Sequence, residues 1–440
     1  MTASKTNKAT LADLPVPPNT PNTLTTPRAT AKRFVLDEEN LVPDITILKG
    51  IFGDTLSKCP RFKVITNDVD ACTFVVDLEG ESKSPESFPT KLSIRIEAAQ
   101  PNKQLFCSAA FQKIAHRRLP HLIPKIWGVG STKASGGREL HYILSQHYQE
   151  DVVTVESIWE KLNNSAKRAL MADVVSTMSD LQGIRLRELD KEDWDIPTEN
   201  PLTSQDTEDM PAVGNSHVGW FKHIKSFLLE ILDPGKAKYG LAADDEGSVV
   251  LSTNFSANGI PNPQNIEFTS DDLAILQHAC VLCHNDIEPR NILVRLKCTD
   301  FGLGCELVAI TNFDSAGFFP FAYETARKDT DLGKKNRHGD WYELYKDFTR
   351  LLLREHADRN FLKIEEKLIK AVVLADRGQR RSQAFNVGNR VQEKWLEREG
   401  FKRSDNARVG FVKSDVATRV FTQADDDKLE EEALKELGYI

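Results

Sequence analysis

Apolar and polar residues alternate in several short runs along the first third of the chain, and a period of two predicts half-buried strands. These runs are residues 62–65, 72–76, 92–96 and 142–144. The polar residues Asn67 and Asp68 lie between the first two runs and predict that these form a hairpin. Residues 105–118 have helical spacing instead, and Gly128 and Gly130 predict a loop.

Beyond residue 154, apolar residues recur every three or four positions, which predicts helices. The predicted helices are a stripe of Leu170, Val174, Met178 and Leu181 that ends at Gly183, a helix containing Trp220, Ile224, Phe227 and Ile231, two helices at residues 341–353 and 364–375, and a solvated acidic helix at residues 425–437. Strands followed by helices predict an α+β fold with two lobes. The first lobe is small and mostly β with one helix, and the second is larger and mostly α.

This order of elements divides the chain into four segments. Residues 1–40 are rich in Thr, Pro, Asn and Lys, a composition typical of a disordered tail. Residues 41–148 are expected to form the first lobe. Residues 149–400 form the second lobe, with an acidic surface insertion near residues 190–216. Residues 401–440 form a C-terminal extension with an acidic end.

Composition narrows the class of protein. A hydrophobic content of 40% and a charged content of 28% are typical of a globular protein. The net charge of -8 argues against a nucleic-acid-binding protein. No apolar run reaches the length of about 18 residues that a membrane span needs. Seven scattered cysteines favour reduced thiols over a disulfide framework, and therefore a cytoplasmic location. Oligomeric state is not predicted.

The polar loop after residue 283 carries the main chemical signal. Apolar runs at residues 281–283 and 292–294 enclose it, and Asp286 and Asn291 stand five positions apart within it. The spacing His-x-Asp, four residues, Asn is typical of the catalytic loops of kinases. In phosphoryl transfer the carboxylate orients an attacking hydroxyl and accepts its proton, and the carboxamide oxygen binds Mg²⁺. We therefore expect Asp286 to be catalytic and Asn291 to be a metal ligand.

Residues 283–294 resemble the corresponding loop of aminoglycoside phosphotransferase and choline kinase-like proteins, in particular their fungal branch. Residues 316–324 and 341–346 extend the resemblance, which covers about residues 41–398. It implies a bilobal protein-kinase-like fold that binds ATP and Mg²⁺ between its lobes. It also implies transfer of phosphate to a hydroxyl group of a small molecule.

Two alternatives compete for the second metal-binding position. In the first, residues 299–304 form a hairpin loop and residues 306–311 form the return strand, which ends beside Asn312. The resemblance then makes Asn312 the counterpart of a metal-binding aspartate, with Asp314 two residues further on. We favour this register because it gives every apolar run a place in the sheet.

The second alternative uses Asp300, which begins the Asp-Phe-Gly sequence found in protein kinases. It lies only nine positions after Asn291, and two strands with their turn barely fit into that interval. This alternative describes a true protein kinase and requires that no hairpin lie between Val294 and Asn312.

The resemblance also implies contacts with the nucleotide. A cation on a strand of the first lobe would hold the phosphates, and Arg95 is preferred over Lys91 for this role because apolar residues flank it. The helix position expected to carry a partner glutamate holds Cys107 or Ser108, and neither forms an ion pair.

Further nucleotide contacts are expected in the connection between the lobes and in the catalytic loop. Adenine would lie under the connection near Ser145 and Gln149. His284 is expected to brace the catalytic loop, and Arg290 either meets phosphate or substrate or covers the loop.

These features predict an ATP-dependent phosphotransferase acting on a small-molecule hydroxyl. The alternative is a catalytically impaired kinase-like protein that binds nucleotide or a partner. Asn312 in place of an aspartate, together with the missing helix glutamate, favours the alternative. The sequence does not predict the acceptor.

Overall fold

A computed structural model describes twelve segments of the chain. These are residues 40–53, 60–78, 88–100, 104–189, 213–232, 240–243, 247–253, 264–299, 302–352, 359–378, 383–414 and 422–440. The predicted tail up to residue 39, most of the insertion near residues 190–216, and Asp300 lie outside them. No helix in the described part of the chain is long and apolar enough to cross a membrane.

The first lobe is a five-stranded antiparallel sheet with two helices. Its elements are α1 (Ile45–Phe52), β1 (Arg61–Asn67), β2 (Ala71–Asp77), β3 (Lys91–Ala98), α2 (Gln104–Arg118), β4 (Ile126–Lys133) and β5 (Glu139–Gln146). The strand order is β1-β2-β3-β5-β4. The predicted hairpin is confirmed, since Phe62 of β1 pairs with Val76 of β2. Helix α1 is additional to the one helix expected.

The loop predicted at Gly128 and Gly130 is wrong, because both glycines lie in strand β4. Gly130 pairs with Tyr142 of β5. A Cβ atom at Gly130 would lie 2.7 Å from the Tyr142 hydroxyl oxygen, closer than any side chain can pack. Glycine is rare in strands, and here a larger residue would require the Tyr142 ring to shift.

Alternation along β3 separates its core side chains from its polar ones. Leu92, Ile94 and Ile96 are buried in the core between the sheet and α1. Because successive side chains point to opposite faces of a strand, Arg95 and Glu97 lie on the other face. This face is the one that meets the second lobe.

Helix α2 packs against both lobes. Leu105 and Ala109 contact Ile126 and Ile143 of the first sheet. Phe111, further along the helix, belongs to the main core of the second lobe. The helix therefore connects the two cores.

The second lobe contains most of the helices. Its elements are β6 (Val152–Thr154), α3 (Val155–Ile158), α4 (Asn164–Gln182), β7 (Val213–Asn215), β8 (Gly219–Phe221), α5 (Ile224–Ile231), β9 (Gly240–Ala243), β10 (Val249–Thr253), β11 (Gln264–Phe268), α6 (Ser270–His278), β12 (Cys280–Cys283), β13 (Ile292–Thr299), β14 (Gly302–Ile310), β15 (Gly317–Pro320), α7 (Phe321–Asp331), α8 (Gly339–Leu352), α9 (Arg359–Gly378) and α10 (Gln383–Arg398). The strands form three small sheets, ordered β14-β13-β6, β12-β15-β7-β8 and β11-β10-β9. The expected α+β class, with a sheet-rich first lobe and a mostly helical second lobe, is confirmed.

The predicted helices are present with two corrections. The stripe predicted before Gly183 is buried on α4, which ends at that glycine. Trp220 does not belong to α5, because it pairs with Gly214 in the hairpin of β7 and β8. The last helix is not fully solvated, since Leu429 and Ala433 are buried in a core shared with α10.

The C-terminal segment contains β16 (Phe401–Arg403), β17 (Phe411–Lys413) and α11 (Gln423–Glu436). An ion cluster attaches β16 to the second lobe. Asp329 of α7 is fully buried and accepts hydrogen bonds from Lys346 at 2.9 Å and from Arg403 at 3.0 Å. The Tyr342 hydroxyl donates to the same carboxylate at 2.7 Å.

The hairpin predicted between Val294 and Asn312 is present. Strands β13 and β14 pair from Ile292 opposite Ile310 to Thr299 opposite Gly302. The predicted loop at residues 299–304 is too long, because Gly304 pairs with Lys297 inside the sheet. The alternative that uses Asp300 required this hairpin to be absent, and the paired strands contradict it.

Candidate active site

The loop that contains Asp286 leaves the fully buried strand β12 through a strained residue, Asn285. Asn285 has a φ of 60°, in the left-handed region, and Asn312 has a φ of 65°. Within the described part of the chain these are the two residues other than glycine with positive φ. Asparagine tolerates this conformation better than most residues. Both asparagines lie beside Asp286 in the chain or in space, so backbone strain is concentrated at this site.

Asp286 is held by two side chains of its own loop. Its Oδ1 accepts a hydrogen bond from Arg290 Nη2 at 2.5 Å, and its Oδ2 accepts one from Asn291 Nδ2 at 2.8 Å. Arg290 also donates to the carbonyl oxygen of Lys335 at 3.2 Å. Burial works against the Arg290 charge, but the nearby Asp286 and Glu288 carboxylates outweigh it and raise the pKa of Arg290. Arg290 therefore meets the Asp286 carboxylate as a permanent cation.

The β13–β14 hairpin places Asn312 beside this pair. Asn312 Nδ2 lies 3.4 Å from Asp286 Oδ2 and 3.3 Å from Asn291 Oδ1. Asn312 Oδ1 is buried and has no hydrogen-bond partner. The predicted residues Asp286, Asn291 and Asn312 thus come together around one point.

Asp314 joins the two lobes through an ion pair. Its Oδ2 lies 2.7 Å from Arg95 Nη2, and Arg95 also pairs with Glu97 on its own strand. Burial opposes the Arg95 charge, but the Asp314 and Glu97 carboxylates outweigh burial and raise the pKa of Arg95. Burial alone would raise the pKa of Asp314, and Arg95 together with the Ser108 hydroxyl lowers it instead. Both partners are therefore charged.

The helix position expected to carry a glutamate holds Ser108, which, among the described contacts, meets Asp314 and not Arg95. It is buried on α2 and its hydroxyl donates a hydrogen bond to Asp314. Cys107 is buried in the core of the second lobe. The carboxylate that faces the strand cation comes from Asp314 in the second lobe and not from α2. The sequence indicated that no ion pair forms from α2, but it did not indicate this substitute.

His284 braces the loop through both ring nitrogens. Nε2 lies 3.0 Å from the Thr311 carbonyl oxygen, and a carbonyl only accepts, so Nε2 carries the proton. Nδ1 then accepts from the backbone N–H of Asp286 at 3.3 Å. Burial lowers the pKa of His284 to about 4, so the ring is neutral at pH 7. This geometry leaves no ring nitrogen for the nucleotide contact that was expected.

Two residues of α7, Glu324 and Lys328, support the loop, and sequence reasoning did not assign them to the site. Glu324 Oε1 accepts the backbone N–H of Asn285 at 3.2 Å, and burial raises the pKa of Glu324 to about 7. Lys328 pairs with Glu288 at 2.8 Å and also donates to the Ile287 carbonyl. The only sequence signal was that Glu324 belongs to the segment that carries the family resemblance.

The remaining predicted residues lie on the first sheet and on the chain that leaves it. Lys91 is exposed at the start of β3 and opposes Asp77 of β2. The Ser145 hydroxyl donates to the Ser93 carbonyl oxygen at 3.3 Å. The carbonyl of Gln149 accepts the N–H of Val152 in the turn before β6. The described contacts do not join these three residues to Asp286.

The donor atoms fit a divalent cation, with less charge than a typical Mg²⁺ site. Within the described segments no group of three His, Cys, Asp or Glu side chains is placed to bind a metal ion. Asn312 Oδ1 and Asp314 Oδ1 are nevertheless buried without hydrogen-bond partners, and Asn291 Oδ1 lies beside Asn312. Amide and carboxylate oxygens are ligands that Mg²⁺ accepts. One carboxylate and two amides would hold the ion more weakly than a pair of carboxylates.

Comparison with known proteins adds little to this geometry. No family model matches the sequence, and no curated protein matches it. Among solved structures, the chain is similar to apo aminoglycoside phosphotransferase APH(4)-Ia, a thermostable mutant, with a TM-score of 0.38 and 13% identity over 84% of this chain and 94% of that one. It is also similar to the GDP complex of wild-type aminoglycoside 2'-phosphotransferase-IIIa, with a TM-score of 0.36 and 12% identity over 89% and 97% of the two chains. Similarity this weak carries no argument about function, which depends on the chain's own residues.

Proposed function

We propose that this chain is an ATP-dependent phosphotransferase that acts on a hydroxyl group of a small molecule. The supporting observation is the position of Asn312, which the β13–β14 hairpin brings within 3.4 Å of Asp286 and 3.3 Å of Asn291. In a kinase-like site the residue after this hairpin and the loop asparagine hold the metal opposite the catalytic aspartate. The resemblance of residues 283–294 to aminoglycoside phosphotransferase and choline kinase-like proteins supports the same proposal.

Asp286 would orient the acceptor hydroxyl and accept its proton. The bonds from Arg290 and Asn291 hold its carboxylate in one orientation, and such positioning is a large part of catalysis in phosphoryl transfer. The neutral His284 supports the backbone N–H of Asp286, and Glu324 supports that of Asn285. These contacts keep the loop in its strained conformation before any substrate binds.

Asn291, Asn312 and Asp314 would hold Mg²⁺, which when bound neutralises charge on the transferred phosphate. Arg95 lies beside Asp314 on the first lobe and would meet the nucleotide phosphates from that side. Ser145 near the end of β5 and Gln149 in the connection between the lobes would lie near adenine. In this proposal the lobes are those of a protein-kinase-like fold.

A second candidate is a protein that binds nucleotide without turning it over. Two contacts favour it: Asn312 is neutral and points its amide nitrogen at Asp286, and Arg95 already pairs with two carboxylates, Glu97 and Asp314. Both features reduce the charge available to a metal–nucleotide complex.

Calorimetric titration of the full chain with ATP, with and without Mg²⁺, separates the two candidates when combined with an assay of ADP release. The phosphotransferase requires that Mg²⁺ strengthen ATP binding and that ADP release be lost in Asp286→Asn. Glu139→Gln, at an exposed ion pair with Lys133, serves as the matched control. ATP binding that is indifferent to Mg²⁺, with no ADP release in the presence or absence of acceptors, would contradict the enzyme and support the second candidate.

A further inference from the structure

A group of cations borders Asp286 on the side of the second lobe. Arg290 spans from the Asp286 carboxylate to the Lys335 carbonyl oxygen. Lys335 and Arg327 both lie 3.5 Å from Oδ1 of Asp331, at the end of α7. We call Arg290, Arg327 and Lys335 the basic cluster.

The basic cluster carries more positive charge than its partners neutralise. Arg290 pairs with Asp286, but Arg327 and Lys335 share the single carboxylate of Asp331. The neighbouring Lys334 pairs with Asp376 at 2.9 Å, so the Asp376 carboxylate is already engaged. These ion pairs contain four cations and three carboxylates. They therefore carry one net positive charge next to Asp286.

The basic cluster can be reached by a ligand. The side chains of Arg327 and Lys335 keep 28% and 20% of their surface exposed, while Asp331 keeps 7%. The acid lies beneath and the two cations lie above it, nearer to solvent. Arg327 and Lys335 also act electrostatically on His217, whose Nε2 lies 2.7 Å from the Asp314 carbonyl oxygen. Arg290 contacts both the Asp286 carboxylate and the carbonyl oxygen of Lys335, so the basic cluster lies next to Asp286.

We propose that the phosphate acceptor of this protein is anionic and carries a carboxylate or a phosphate group that the basic cluster binds. This inference rests on the proposed phosphotransferase activity. Arginine and lysine bind oxyanions through charge-assisted hydrogen bonds, and arginine can do so with two parallel N–H groups. An acceptor held by its anionic group at Arg327 and Lys335 would present a hydroxyl to Asp286. A polycationic acceptor would meet a like charge there.

Four probes on one carbon skeleton test this inference: gluconate, glucose 6-phosphate, glucose and glucosamine. Their binding to the full chain is measured by calorimetry with Mg²⁺ and a non-hydrolysable ATP analogue, and their turnover by ADP release. We expect one or both anionic probes to bind at least about tenfold more tightly than glucose, the scale of one charge-assisted hydrogen bond. Glucosamine should bind no better than glucose. Which anion is preferred decides between a carboxylate and a phosphate.

Variants then assign the binding to the basic cluster. Arg327→Gln and Lys335→Gln should each weaken the preferred anionic probe by about tenfold while leaving ATP affinity unchanged. Arg327→Lys, which keeps the charge, should retain part of the binding. This result would show that the loss in Arg327→Gln comes from the missing charge and not from misfolding. Lys133→Gln, at an exposed ion pair with Glu139, should change neither quantity.

The outcomes separate this inference from the proposed activity. Preference for glucosamine, binding of neither anionic probe, or anion binding unaffected by Arg327 and Lys335 overturns the inference, as does loss of ATP affinity in those variants. ADP release that depends on Asp286 would still support the phosphotransferase in each case. Anion binding that depends on the basic cluster, without any turnover, would support the site and defeat the activity.

Discussion

Asn312 directs its amide nitrogen at the carboxylate of Asp286, with Nδ2 and Oδ2 3.4 Å apart. A carboxylate in this position would repel Asp286, and a divalent cation between the two would remove the repulsion. The amide instead satisfies Asp286 in the absence of metal. The site is therefore electrostatically stable without an ion, and the amide limits how strongly it attracts one.

Asn312→Asp should make the protein more dependent on Mg²⁺ and more active. A second carboxylate among the metal ligands strengthens binding of the metal–ATP complex. ATP hydrolysis should therefore rise by about tenfold or more at saturating Mg²⁺. Without Mg²⁺ the variant should unfold at a lower temperature than the wild type. ADP release and thermal unfolding, each measured over a Mg²⁺ titration, check both effects. Asn163→Asp, at the first-turn cap of α4, is the control and should behave as wild type.

Asp286→Asn should abolish most turnover while preserving nucleotide affinity. Loss of a positioned general base lowers rates by about 10²–10⁴-fold, and the asparagine can still accept a hydrogen bond from Arg290. The measurement is the rate of ADP release beside the dissociation constant for ATP. A variant that hydrolyses ATP at the wild-type rate would remove Asp286 from the mechanism.

Arg95→Met should destabilise the contact between the lobes. It leaves Asp314 largely buried with the Ser108 hydroxyl as its remaining described partner, and breaking such an ion pair costs about 3 kcal/mol. Combining it with Asp314→Leu should recover part of the loss, because the Asp314 carboxylate that Arg95 would have neutralised is then gone as well. Denaturant unfolding of the two single variants and the double variant measures the coupling. Lys133→Met should have no effect, and additive losses in the double variant would contradict the pairing.

Deprotonation of the buried Glu365 should lower the free energy of unfolding in alkaline solution. Glu365 lies on α9, its Oε2 has no hydrogen-bond partner, and burial raises its pKa to about 8 from an ordinary value of 4.5. The folded state therefore holds this proton more tightly than the unfolded state. Its contribution to stability is complete below about pH 4.5, declines as pH rises, and is lost above about pH 8.

Glu365→Gln removes this titration. The variant should lose less stability than the wild type between about pH 5 and about pH 9, and should be the more stable of the two at the alkaline end. Thermal unfolding across that range is the measurement. The exposed Glu306, paired with Lys297, provides a control as Glu306→Gln. Parallel pH profiles of wild type and Glu365→Gln would refute the prediction.

Arg403→Met should loosen the C-terminal hairpin. Arg403 and Lys346 both bind the fully buried Asp329 carboxylate, and removal of one cation from such a cluster costs about 3 kcal/mol. Hydrogen exchange should increase in β16 and β17 before it increases in the first sheet. Arg390→Met, at exposed ion pairs with Glu393 and Glu436, is the matched control and should cost much less.

Several features were predictable because they depend on neighbouring residues. The alternation of Leu92, Ile94 and Ile96 determined which face of β3 is buried, and that face left Arg95 directed toward the second lobe. The apolar runs on either side of Asp286 and Asn291 indicated the strands that hold the loop. The hairpin after Asn291 was predicted, but its loop was predicted too long because Gly302 and Gly304 resemble turn residues and instead pair within the sheet.

The sequence by itself determined the two-lobed α+β order of elements and the strands on either side of the Asp286 loop, since strand alternation and loop spacing are local properties. Only the tertiary structure decided that Arg95 pairs with Asp314, that Ser108 joins them from α2, and that Arg327 and Lys335 share one acid beside Asp286. These contacts join residues from different elements, and their charges matter only at distances of a few ångströms. Packing of the two lobes around α2 sets those distances, and no local pattern of residues encodes them.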